Sequence, residues 1–251
     1  MKKQILALFF FSIALFFSAC DSSKSKNTAS NQILNVGIEP TYKPFDYKEN
    51  SKLTGFDVDL LDAIAQDLNI SINWVEMNFD GLIPALKTGK IDMIASAMSV
   101  TEERKKSVDF SNTYYMTKNL YIKRKDDISL KTKDDLVNKK IGVQLGTLQE
   151  NAAKNIKNAT VEANADLNVA ILALKNKKID AIILDKDVAK GYLEQNPELN
   201  SFFEEDDGSS GFSFAFDKDK QKELIEKINT TLEKLKQNGI YENLLIKYQL
   251  K

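Results

Sequence analysis

Ala85-Leu86-Lys87-Thr88-Gly89-Lys90-Ile91-Asp92-Met93-Ile94 and Ala173-Leu174-Lys175-Asn176-Lys177-Lys178-Ile179-Asp180-Ala181-Ile182 are one junction written twice. Each reads as the end of a helix, a turn and the start of a buried strand, because an apolar helical stripe gives way to a short apolar run. Working outward from the first copy, Ile33 to Ile38 is a strand and Phe56 to Leu68 a helix, with apolar residues at Val58, Leu61, Ile64, Ala65 and Leu68. Ile70 to Val75 alternates as a strand, Asp80 to Lys87 is a helix and Ile91 to Ala95 a strand. Around the second copy, Ile141 to Leu145, Thr160 to Ala163 and Ile179 to Leu184 are strands, and Leu148 to Ile156 and Leu167 to Leu174 are helices. Two such runs predict an α/β fold with mostly parallel sheet, one similar unit in each half. Chance likeness of two helix–strand junctions is the alternative. Asn119 to Arg124 and Gly211 to Phe216 read as crossings between the halves, and helices near Asp219 to Gln237 and Tyr241 to Gln249 close the chain. Ligands on such sheets lie beyond the carboxyl ends of the strands. There the sequence places Ser96-Ala97-Met98-Ser99 after the first repeated strand and Asp185 after the second.

Composition narrows the chemistry. The 35 basic and 36 acidic residues are mixed throughout, which gives nucleic-acid binding no support. With no histidine in the chain, histidine-ligated metals and Ser-His or Cys-His catalysis are excluded. No metal or cofactor is expected.

The N-terminus reads as an export signal over residues 1–19: Lys2 and Lys3, then an apolar run too short to span a bilayer. Phe17-Ser18-Ala19-Cys20 resembles a bacterial lipobox, which implies a lipidated, membrane-anchored Cys20; a plain signal peptide that contains a cysteine is the alternative. Residues 20–32 then read as a polar, flexible tether. The expected location is outside the cytoplasm, in the periplasm or at the cell surface.

Arg104 offers a forked cation to a carboxylate, or else pairs with Glu102 or Glu103 at the surface. Asp185 can accept from an ammonium, or else caps a helix. Trp74 reads as packing. Gly146-Thr147-Leu148-Gln149 opens a helix whose N–H groups could face an anion.

Six motifs together resemble the polar amino-acid receptors of ABC importers, the group of lysine/arginine/ornithine-, histidine- and glutamine-binding proteins. They are Gly37 to Phe45, Gly55 to Leu60, Phe79 to Leu86, Ser96 to Arg104, Gly142 to Glu150 and Asp180 to Asp185. The resemblance implies a two-lobed periplasmic-binding-protein fold of type II, with two hinge crossings and the ligand in the cleft. The lobes would be 33–119 with 214–251, and 120–213. It implies a monomer that hands an amino acid to an inner-membrane permease. Arg104 and Asp185 would be counter-ions of the ligand's backbone, helped by Ser96, Ala97, Ser99, Thr147, Leu148 and Gln149. Tyr42 and Phe79 would be aromatic walls, or else ordinary core. Glu39 would face the side-chain tip, which favours arginine, lysine, ornithine or histidine and leaves glutamine open. Ala97 and Leu148 depart from the commonest pattern, where serine and threonine are frequent. A periplasmic cyclohexadienyl or arogenate dehydratase on the same fold is the rival class, with Glu39 or Asp185 as its acid.

Overall fold

The computed structural model describes residues 32–251; the expected signal, Cys20 and all of the tether but Gln32 lie outside them. In chain order the elements are β1 (Gln32–Ile38), β2 (Thr41–Tyr42), β3 (Asp46–Glu49), β4 (Lys52–Thr54), α1 (Phe56–Leu68), β5 (Ile70–Glu76), α2 (Phe79–Lys87), β6 (Met93–Ile94), α3 (Glu102–Lys105), β7 (Val108–Phe110) and β8 (Lys118–Arg124). There follow β9 (Lys140–Gln144), α4 (Leu148–Lys154), β10 (Thr160–Asn164), α5 (Leu167–Lys175), β11 (Ala181–Asp185), α6 (Lys186–Gln195), β12 (Leu199–Asp206), β13 (Ala215–Asp217), α7 (Lys222–Gln237) and α8 (Ile240–Lys247).

The strands form two five-stranded sheets, ordered β5-β1-β6-β13-β7 and β10-β9-β11-β8-β12, and a small sheet of β2, β3 and β4. The expectation of mostly parallel sheet needs correction. In the first sheet β1 runs parallel to β5 and β6, while β13 is antiparallel to β6 and β7. In the second, β9 is parallel to β10 and β11, while β8 is antiparallel to β11 and β12. The helical crossovers within each repeat give the parallel half. The antiparallel half comes from β7, β8, β12 and β13, which a periodicity reading of the two repeats does not cover.

The repeated junction explains why each half adopts the same form. Asp92 Oδ2 accepts from the N–H of Asn35 at 2.7 Å, and Asp180 Oδ2 accepts from the N–H of Lys140 at 2.8 Å. Two residues further along each receiving strand stands a glycine, Gly37 or Gly142. A Cβ on Gly142 would meet Ile179 Cδ1 at 2.5 Å, and one on Gly37 would overlap Ile91 Cδ1. Each isoleucine of the repeat therefore fills the space left by a missing side chain. Gly89 and Lys177, at the same place in the two turns, both take left-handed backbone (φ 71° and 59°). The two halves are one design used twice.

Helix α1 spans the residues expected of it and buries Phe56, Val58, Leu60, Leu61, Ile64 and Ala65. Asp57 and Asp59 in its first turn suit the helix dipole, and Asn69 closes it in left-handed conformation. α7 and α8 pack on α1, as expected of the closing helices. Gly55, before α1, has φ 137°, and any side chain there would run into the Phe45 carbonyl. That close approach holds the β2–β3 hairpin on α1, where the Phe56 N–H donates to Pro44 O at 3.0 Å and the Asp57 N–H to Phe45 O at 2.9 Å. Among the described residues no helix is long and apolar enough to cross a membrane.

Gly55→Ala meets backbone and adds φ strain, whereas Gly37→Ala meets only side-chain atoms, the Ile91 side chain and the tip of Leu82. Urea unfolding should show a loss of about 3 kcal/mol or more for the first and about 1–2 kcal/mol for the second.

Candidate functional site

The carboxyl ends of five strands converge on one place. Glu39 follows β1, Phe79 follows β5, Ser96 and Ser99 follow β6, Gln144 ends β9 and Asp185 ends β11. Tyr42 comes in from β2 and Arg104 from α3. Together with Ala97, Thr147, Leu148 and Gln149 these residues line a single cavity, with about 10 Å³ of free volume, room for one water. All eleven residues singled out in the sequence thus share one cavity; Gln144 is a twelfth that the sequence reading missed.

Asp185 stands at the N-cap position of α6, yet its side chain caps nothing. It turns inward, accepts from the Tyr42 hydroxyl and accepts from Gln149 Nε2 at 3.1 Å. Gln149 Nε2 also donates to Asn119 Oδ1 at 3.0 Å, which fixes its orientation. Burial raises the Asp185 carboxyl to about 7, against the opposing pull of the Tyr42 hydroxyl and the Arg104 charge.

Arg104 makes no surface pair with Glu102, which is bound instead to Lys105 at 2.7 Å. Thr101 caps the short helix by accepting from the Arg104 N–H at 3.1 Å. The guanidinium donates to Ser99 O at 2.8 Å and to Gly146 O at 3.1 Å, with its centre 5.3 Å from the Phe79 ring. Burial lowers it to about 10, so it stays cationic at neutral pH.

Glu39 is buried; it accepts from the Thr41 hydroxyl and from Gln144 Nε2 at 3.4 Å. Burial raises its carboxyl above the usual range, partly offset by those two donors. Its N–H donates to Ser96 Oγ at 3.0 Å. Among the contacts that join the two halves, three lie at the cavity across the cleft: Tyr42 to Asp185, Gln144 to Glu39 and Arg104 to Gly146. Trp74 is half-buried in β5, packed against the core and away from the cavity. No cluster of metal-ligating side chains occurs among the described residues.

The chemistry on offer is a cation, two buried carboxyls, two aromatic faces and several backbone groups. The set suits holding a small charged molecule.

Residues 34–251 match the family model of bacterial extracellular solute-binding proteins, family 3. The chain belongs to that family. This solute-binding protein is 60% identical over 255 residues, all of both chains, to a probable histidine-binding protein of Campylobacter jejuni. It is 36% identical to the arginine-binding extracellular protein ArtP of Bacillus subtilis, over 99% of this chain and 98% of that one. Among solved structures, an ancestral arginine-binding protein bound to arginine superposes with a TM-score of 0.82 at 39% identity, over 86% of this chain and 97% of that one. The two-lobed type II binding-protein fold read from the sequence is therefore the fold of this solute-binding protein.

The raised carboxyl of Asp185 sets a pH dependence. Between its unfolded value near 3.8 and its folded value of about 7, the folded protein holds a proton that the unfolded chain has lost. Stability without ligand should therefore fall as pH rises from 5 to about 7, by at most about 1.4 kcal/mol per pH unit for this group, and level off above that. Asp185→Asn should flatten part of that slope, read as urea midpoints at several pH values.

Proposed function

We propose that this solute-binding protein captures a free basic L-amino acid, such as histidine, arginine, lysine or ornithine, and delivers it to an ABC permease in the inner membrane. Glutamine is the nearest alternative ligand. The observation that carries the reading is that Arg104 and Asp185, opposite in charge, line the same enclosed cavity. A zwitterion leaves water only if both of its charges are met. Arg104 answers the carboxylate, with Ser99 and the start of α4 beside it. Asp185 answers the ammonium, with Ser96 and Ala97 nearby. Tyr42 and Phe79 sandwich the side chain, and a cation on its far end meets Glu39, steadied by Gln144. The names of the relatives, histidine-binding and arginine-binding, agree with a carboxylate at that end.

Capture works by hinge closure. The lobes, 33–119 with 214–251 and 120–213, part to admit the ligand, since the closed cavity is far too small to be entered as it stands. The ligand docks on the first lobe through Arg104, Ser99 and the aromatic walls, and the second lobe brings Asp185, Gln149 and Thr147 onto it. Binding favours closure because only then are both charges paired. The same reading makes the protein a monomer that binds without turnover, anchored by a lipid on Cys20 through the 20–32 tether.

Titration calorimetry of the soluble protein with the twenty amino acids and ornithine tests the ligand class. Arg104→Ala should weaken every ligand by at least about 3 kcal/mol, roughly a hundredfold or more, by stranding a buried carboxylate; affinity within a fewfold of the parent would remove Arg104 from the site. Glu39→Gln should weaken arginine and histidine far more than glutamine, and equal losses would refute a selective role for Glu39.

A further inference from the structure

Two carboxyl groups lie behind the cavity and take no part in lining it. Asp46, at the start of β3, and Asp57, in the first turn of α1, are both completely buried. Their backbones are held together where the Asp57 N–H donates to Phe45 O at 2.9 Å, and the glycine at position 55 lets the two segments touch. Asp57 Oδ2 has two donors: the N–H of Ala97 at 2.6 Å and the Tyr114 hydroxyl at 2.7 Å. No well-formed hydrogen bond reaches Asp57 Oδ1 or either oxygen of Asp46, although the Ser96 hydroxyl is near enough to Asp46 to pull its carboxyl down. Neither carboxyl faces a cation. The titratable groups that act on Asp46 are Asp57 and Glu39, with Tyr42 beyond, and Tyr114 acts on Asp57.

Two fully desolvated carboxylates on touching segments, near enough for the charge of Asp57 to act on Asp46 and with no counter-ion, are not a stable arrangement. One proton held by the pair removes one of the two charges, as in other coupled carboxyl pairs. The charge that remains belongs on Asp57, because Asp57 has two donors, the Ala97 N–H and the Tyr114 hydroxyl, and Asp46 has only the Ser96 hydroxyl nearby.

That charge is spent on one piece of backbone. Ala97 is held with φ 42°, in the left-handed region that a non-glycine residue avoids without support. Its N–H points at Asp57, so the turn that carries Ser96 and Ala97 is pinned from behind while its other side lines the cavity. We propose that Asp46 and Asp57 share a single proton and carry one negative charge between them, and that this pair is the positioning element that keeps the Ser96–Ala97 turn in its ligand-receiving shape. The role in binding rests on the amino-acid reading above; the shared proton does not. Burial and the charges of Asp57 and Glu39 push the Asp46 carboxyl well above the usual range, and burial raises Asp57 to about 7 against the pull of its two donors.

The test uses the soluble chain at pH 9, where Asp185 has given up its proton, with no ligand and its aspartates labelled with carbon-13 at the side-chain carboxyl. Infrared spectra should contain the carbonyl stretch of a protonated aspartic acid, and Asp46→Asn should abolish it. Calorimetry with L-arginine and L-histidine supplies the second readout. Asp46→Leu should weaken both ligands about tenfold or more, while Asp46→Asn, a neutral hydrogen-bonding group of the same shape, should recover affinity to within about threefold of the parent. Absence of the protonated band in the parent protein, or failure of Asn to outperform Leu, overturns the proposal. If the variants do not fold, the spectrum of the parent alone decides the shared proton. If the band is present and no amino acid binds, the pair stands and the amino-acid reading falls.

Discussion

The Tyr42 hydroxyl reaches from a hairpin beside the first sheet to the carboxylate of Asp185 at the end of a strand in the second. Around that bond the rest of the site is arranged. Asp185 can stay buried only because the hydroxyl, Gln149 and the nearby Arg104 offset the loss of water. Arg104, in turn, keeps its charge among carbonyls and an aromatic face. Polar groups this deep demand that both sheets present their strand ends at one level, and the fold meets that demand by using the same unit twice.

The duplicated unit is held by a small set of contacts. An aspartate locks onto a backbone N–H two residues before a glycine, and an isoleucine lies on that glycine, in each half. Because the aspartate and isoleucine are adjacent, the pair sets both the depth and the register of the strand that follows. The strand's last residues then arrive at the cavity without further adjustment.

Much of this was legible in the sequence, and the gaps have physical causes. α1 matched its apolar stripe from end to end, since a long amphipathic helix carries its own signal. The small sheet of β2 to β4 was missed because its strands have two to four residues, too few for any period to show. α6 was missed because it buries only Val188 and Ala189, so its sequence reads as polar. At the site, the eleven residues picked out by motif and charge lie around one cavity, but Gln144 hid at the end of an apolar strand. Asp57 looked like an ordinary acid in a helix's first turn. That it is wholly buried beneath the 96–97 turn is a tertiary fact with no local mark.

The three contacts across the cleft bear on what a visiting solute gains. With Asp185 and Arg104 already engaged by a hydroxyl and a carbonyl of the protein itself, entry is an exchange of partners rather than a gain of them. Each bond given up has one charged partner and is worth about 1.5–3 kcal/mol net, and bonds between two full charges are stronger. Under the amino-acid reading, a simple amine or a simple carboxylic acid repays one displaced contact and leaves the other opened for nothing. The protein's own internal bonds thus act as a threshold that only a molecule bearing both charges passes.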